Sequence, residues 1–290
     1  MDRTCLDRAS EFDAARPSKY SFLKLPELKL SILASVFSYV LPPAIALTSA
    51  GFLWQVLVEV RHVPTYIVPA PLDVLKRLSS DFGFFAGHGI VTLFEAMSGF
   101  VIGCLIALVA AVLMSHSRYL ERSILPLAIL VKLTPVIAVA PLFVIWFGFG
   151  VMPKILIAAL ITFFPTLING VTGFRSVDQG SLDFLRSLRA SQREIFLKLR
   201  FPSALPYLFA AFRVSVPLSV IGAVVGEWFS ADRGLGSVII VANSNLDTIT
   251  LFGAVFTLAF IGIGLTILVS ILERKVLFWH ESSMSDKTGK

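Results

Sequence analysis

Three ionisable side chains, Glu95, Lys132 and Arg213, stand eight or nine residues inside long apolar stretches of this 290-residue chain. A charge in hydrocarbon is costly, so each should face a polar pathway, meet an opposite charge, or reach the interface along its own stem. On a pathway, the two cations would favour an anion. Glu227, at the end of a later apolar stretch, stands where water can reach it. Nucleophilic and metal chemistry find no such footing. The histidines His62, His88, His116 and His280 are scattered, without the four-residue spacing or carboxylate motif of a metal site. There is no P-loop, no GxSxG and no CxxC, so neither an enzyme nor a resident cofactor is supported.

With 56% hydrophobic and 15% charged residues and a mean hydropathy of +0.82, the chain is too apolar for a soluble domain. A membrane-spanning helix takes roughly 20 mostly apolar residues. Six stretches qualify, at about 33–58, 87–114, 124–148, 155–174, 205–229 and 250–278, within a transmembrane region 33–278 flanked by tails 1–32 and 279–290. The polar first 30 residues lack the pattern of a cleaved signal peptide, so the first span is expected to be the insertion signal. Of the 25 basic residues, 18 fall in the tails and in loops 115–123 and 175–203. Five, Arg61, Lys76, Arg77, Lys154 and Arg233, fall in the alternate loops. That bias places both termini and the 175–203 loop in the cytoplasm, and it explains the net charge of +6 without nucleic acid as a partner. Cys5 would be cytoplasmic and Cys104 intramembrane, so no disulfide is expected.

Within the spans, Pro42-Pro43 should kink the first near its start. The external stretch 62–78 leads into a short amphipathic helix from Pro71 to Leu78, suited to the outer leaflet. Gly99, Gly103, Ala107 and Ala111 make a small-residue stripe, the pattern that lets membrane helices approach closely, within the chain or across a dimer. The third span is interrupted by Pro126, Pro135 and Pro141, with Lys132 one turn before Pro135. Broken helices at membrane depth occur where backbone faces protein or a water-filled cavity.

The polar loop 175–203 reads as two short helices. Leu182, Leu185 and Leu188 form one stripe, with Asp183, Arg186 and Arg189 opposite. Ser191-Gln-Arg-Glu194 is a capping box that should start a second helix bearing Ile195, Phe196 and Leu199, ended by Pro202 and Pro206. Such a hairpin could rest on the inner leaflet or engage a soluble partner.

The loop resembles the cytoplasmic EAA loop of bacterial ABC-importer permeases, whose pattern is E-A-A-x3-G-x9-I-x-L-P. Aligned on Pro202, Asp183, Phe184 and Leu185 stand at the E-A-A positions, Arg189 at the glycine, Leu199 at the isoleucine and Phe201 at the leucine. The proline, the spacing and the carboxylate are kept; the alanines and the glycine are not. Across 62–278, blocks such as VPAPLDVL, TPVIAVAPLFVIWFGFGVMPK, FFPTLINGVTGFRSVD and IGAVVGEWFSADRGLG resemble the permeases for nitrate, sulfonate, taurine, bicarbonate and vitamin precursors.

The resemblance implies an all-α fold of about six transmembrane helices, of the methionine and molybdate permease kind, in the inner membrane. It implies a homodimer around a substrate path, a cytoplasmic ATPase subunit and a periplasmic solute-binding protein. Asp183, Phe184, Leu185, Arg189, Ala190, Ser191, Glu194, Leu199 and Pro202 would then belong to the ATPase-coupling loop, with Glu95, Lys132 and Arg213 as candidates for the path. The segments around 62–78 and 230–249 would face the binding protein. A non-glycine at Arg189 requires either a right-handed corner or a strained one. An ATP-independent secondary transporter is the alternative, and it would show inverted repeats and paired intramembrane charges.

Overall fold

Small residues determine which helices come together. The computed structural model describes residues 25–230 and 233–278, so 1–24 and 279–290, with Cys5, His280 and the tails' outer basic residues, lie outside the described residues. In chain order the helices are α1 (Leu25–Val60), α2 (Pro71–Ser80), α3 (Phe82–His116), α4 (Arg118–Leu133), α5 (Val136–Phe147) and α6 (Val151–Arg175). They continue with α7 (Gln179–Ser187), α8 (Gln192–Ile195), α9 (Phe201–Ser230), α10 (Leu235–Ser244) and α11 (Thr248–Val276). No strand occurs among the described residues.

The core is α3, α6 and α9. A Cβ added at Gly99 or Gly103 of α3 would collide with Ala158, Ala159 or Thr162 of α6. A Cβ at Gly222 or Gly226 of α9 would lie 2.7 Å from the Cα of Ala158 or Lys154. Backbones this close gain many dispersion contacts that a larger side chain would forfeit. Ala107 and Ala111 continue the stripe and are wholly buried beside Phe164, Leu167 and Val171, so the stripe packs within the chain.

These contacts also set direction. Residues 99, 103 and 111 of α3 meet 158, 162 and 170 of α6 in step, so the two helices run parallel. On α9, Ala204 meets Gly173, Ser215 meets Thr162 and Thr166, and Gly226 meets Lys154, so α9 is antiparallel to both. Residues 117–150 must therefore return across the thickness that α3 and α6 share. They do so as α4 and α5, which meet at 99°.

Only one of the three prolines breaks that third span. Pro126 and Pro141 remain inside α4 and α5. Pro135 holds Thr134 extended, at φ −72° and ψ 126°, because its ring crowds the preceding residue out of the helical region. The span is thus a near right angle, not one kinked rod. Counting it as one span gives up to six apolar crossings among the described residues: five helices long and apolar enough to span, plus the bent pair.

α1 belongs, up to Leu57, to a separate compact unit; it is helical through Pro42 and Pro43 and exposes Leu47, Phe52 and Leu53. α2, the short amphipathic helix expected at the outer leaflet, packs on α11 and keeps Leu72 and Leu75 exposed. It starts with Pro71 in its first turn, buries Val74 completely, and its Arg77 Nε donates to Thr250 Oγ1 on α11 at 3.3 Å.

Candidate functional site

The charges buried in the core are answered by their neighbours. Glu95 of α3 is wholly buried, and Lys154 Nζ donates to its Oε1 at 2.8 Å. Lys154, read from the sequence as an external-loop cation, instead occupies the first turn of α6 and is 3% exposed. Helix α6 begins earlier than the apolar run alone suggests because Gly148 and Gly150, at φ +77° and +131°, make the turn out of α5 compact. Glu227, expected to be wet, is 1% exposed.

Glu227 is held from two directions. Thr92 Oγ1 donates to its Oε1 at 2.6 Å, and its Oε2 accepts from the Gly236 N–H. The carboxylate thus occupies the N-terminus of α10, where unpaired N–H groups and the helix dipole favour an anion. Glycine is required beside it: a Cβ at Gly234, itself at φ +119°, would collide with that carboxylate. Thr92 Oγ1 also accepts from the Leu235 N–H at 2.8 Å, and Lys154 Nζ donates to the Arg233 carbonyl at 3.4 Å. Glu95 Oε2 has no hydrogen-bond partner among the described residues. The cluster fastens α3, α6, α9 and α10 at one end of the bundle.

Lys132 and Arg213 are elsewhere. Lys132 lies exposed in the last turn of α4, two residues before the bend, with no ion-pair partner among the described residues. Arg213, half exposed on α9, donates from Nε to Glu273 Oε2 of α11 at 2.6 Å. Glu95, Lys132 and Arg213 are therefore not gathered at one place in the chain.

At the opposite end, 176–200 forms the two-helix corner. Asp178 caps α7, its Oδ2 accepting from the Ser181 N–H at 2.9 Å. Leu182 is buried against the body, while Phe184 and Leu188 are 63% and 62% exposed, and Asp183 is exposed beside Arg186. The helix ends on Arg189 at φ +55°, so the corner is left-handed despite the side chain. The Arg189 N–H donates to the Arg186 carbonyl at 2.9 Å and the Ala190 N–H to the Leu185 carbonyl at 3.0 Å. That is the pair of bonds of a Schellman C-cap, which satisfies carbonyls that would otherwise be left open.

Two residues on, the capping box is formed. The Glu194 N–H donates to Ser191 Oγ at 3.3 Å, and the Ser191 N–H to Glu194 Oε2 at 2.9 Å. The Ser191 N–H and hydroxyl, with Lys198 nearby, hold the Glu194 carboxyl below its ordinary range. The expected stop at Pro202 does not occur. From Phe196 to Arg200 the helix widens to a π turn, in which the Phe201 N–H donates to the Phe196 carbonyl, and it then continues into α9. The wider turn gives the Pro202 ring room beside the preceding carbonyls, so α8 and α9 form one unbroken rod. Leu199 is partly buried on that rod.

A multi-pass helical bundle with a capped corner standing out from one end has the build of a transport component. Residues 99–277 match the binding-protein-dependent transport system inner membrane component family, and the chain belongs to that family. It is 38% identical over 233 residues to the riboflavin transport system permease protein RibX of Chloroflexus aurantiacus, covering 79% of this chain and 86% of that one. It is 31% identical over 233 residues to the putative aliphatic sulfonates transport permease protein SsuC of Bacillus subtilis, covering 79% and 84%. Its fold is similar to that of a chain of the inward-facing MetNI methionine ABC transporter, with TM-score 0.59 at 18% identity over 67% of this chain and 97% of that one. The protein is a multi-pass membrane permease component of a transport system, not an enzyme.

Proposed function

We propose that this chain is the permease subunit of an ABC importer, and that residues 183–202 receive force from an ATP-hydrolysing partner. The observation that carries this is the corner at Arg189: exposed, capped on both sides, and continuous through the π turn with α9. A displacement of α7 and α8 would pass along that rod into the glycine-packed contact with α6, where backbones are too close to slide independently. The 99° bend at Thr134–Pro135 offers a place for α5 to turn against the core. In this reading the corner and both termini are cytoplasmic, as the basic-residue bias supports. A second copy of the chain completes the path, and a solute-binding protein meets the end that carries α2 and α10.

For the substrate we infer an uncharged vitamin or vitamin precursor, such as the riboflavin that RibX is named for. Arg213 is neutralised by Glu273 and Glu95 by Lys154, which leaves Lys132 alone to favour an anion. Uptake of radiolabelled riboflavin and of an alkyl sulfonate, in wild type and in Lys132→Gln, decides between the two classes. Saturable riboflavin uptake unaffected by the substitution supports the uncharged class; sulfonate uptake that falls with Lys132→Gln contradicts it. Co-purification of the tagged full-length chain with an ATP-hydrolysing subunit tests the broader reading. A chain that transports by itself, with no such subunit retained, would be a secondary transporter.

A further inference from the structure

We propose that a basic cleft between the start of α4 and α7 holds the phosphate group of an anionic phospholipid. The cleft has a volume of about 590 Å³ and is lined by Arg118, Arg122, Arg175, Arg186 and Arg200, with Glu121 as the one facing carboxylate. Two of the arginines are already committed. Arg175 pairs with Glu121 and donates from Nη2 to the Met114 carbonyl at 3.2 Å, while Arg186 lies 3.3 Å from Asp183. Among the described residues, Arg200 reaches only the Ser115 carbonyl, at 3.4 Å. Arg118 and Arg122 have no ion-pair partner among the described residues. Three guanidinium groups without a counter-charge surround one cleft and repel one another. A tetrahedral oxyanion, with acceptors on several sides, can answer all three through charge-assisted hydrogen bonds.

The helix that opens the cleft identifies the ligand as a lipid. Arg118 and Arg122 stand in the first turns of α4, whose farther end exposes Leu127, Leu130 and Leu133 at 63%, 63% and 73%. A headgroup at the arginines therefore has an exposed apolar surface beside it for its acyl chains. The cleft also lies at the ends of α3 and α6, Met114 and Arg175, where two spans terminate. Ends of membrane spans lie close to phospholipid phosphates, and basic pockets between membrane helices at such a level suit acidic headgroups. Because the site joins α4 to α7, an occupant restrains the corner against the first half of the broken span. The inference is independent of the coupling role, since it concerns binding by the permease alone.

The test titrates the purified full-length chain with phosphatidylglycerol, phosphatidylcholine or inorganic phosphate and follows thermal unfolding. Phosphatidylglycerol should raise the melting temperature and phosphatidylcholine should not. The Arg118→Gln/Arg122→Gln pair, which removes exposed side chains and so keeps the fold, should need on the order of 20-fold more phosphatidylglycerol for the same shift. Lys76→Gln, an exposed cation on α2 at the other end, should titrate as wild type. An unchanged titration in the double variant overturns the site. A shift produced equally by inorganic phosphate at the same phosphate concentration overturns the lipid as its occupant.

Discussion

Arg189 holds a left-handed backbone that glycine would hold at lower cost, roughly 1–2 kcal/mol lower for such a residue. The cost is met by the two Schellman bonds and by the capping box that follows. Arg189→Gly should therefore keep transport-coupled ATP hydrolysis within twofold of wild type. Arg189→Pro, which removes the N–H bonded to Arg186 and forbids a positive φ, should abolish coupling while leaving the bundle folded, as read by ATPase assay beside circular dichroism. If Arg189→Pro couples normally, force does not pass through this corner. The buried pair makes a separate prediction. Lys154→Met leaves Glu95 in the core without its ion-pair partner, at a cost of about 3–5 kcal/mol, so the melting temperature or the folded yield in detergent should fall sharply. Loss of an exposed charge such as Lys76 should do neither. The sequence carried the capping box openly, in Ser191 and Glu194, because capping depends on neighbours three residues apart. It hid Lys154 and Glu227, because each is adjacent to turn residues and reads as wet until α6 and α9 are packed together. Their signal was indirect: both fall within blocks that resemble permeases, and Glu227 precedes a glycine pair that its carboxylate needs.

Among the elements, the close approach of α3, α6 and α9 makes the glycines unequal. Gly103→Leu and Gly226→Leu force the α3–α6 and α6–α9 backbones apart and should prevent accumulation of folded protein. Gly264→Ala, with open space around it, should be tolerated, since nothing lies within 4 Å of the added Cβ. Comparable melting curves for all three would mean that these helices do not pack through their glycines. The apolar stretches and the small-residue stripe were readable because burial in lipid and close packing leave local, periodic marks. The bend at Thr134–Pro135 was readable only as an interruption. Three prolines mark the span, and which one breaks it depends on whether a neighbouring turn can absorb the missing N–H. The same holds for Pro202, which a π turn carries through without ending the helix. Ser191→Ala should cost about 1 kcal/mol of corner stability, seen as faster proteolysis between α7 and α8, with the bundle unaffected.

For the whole molecule, family membership and a corner built to stand out from one end lead to a single functional account. The parallel run of α3 and α6 forces the chain to cross between them, so the broken third span is an obligatory crossing. The class of protein was visible in the order of the sequence blocks, whereas the substrate was not, since Lys132, unpaired among the described residues, gives little on which to select. The most direct measurement is solute uptake into proteoliposomes that contain this chain, an ATP-hydrolysing subunit and a solute-binding protein, with and without ATP on the subunit's side. An importer driven through this corner shows uptake that needs ATP, persists in Arg189→Gly and is lost in Arg189→Pro. Uptake that proceeds equally without ATP, in all three proteins, would contradict that mechanism.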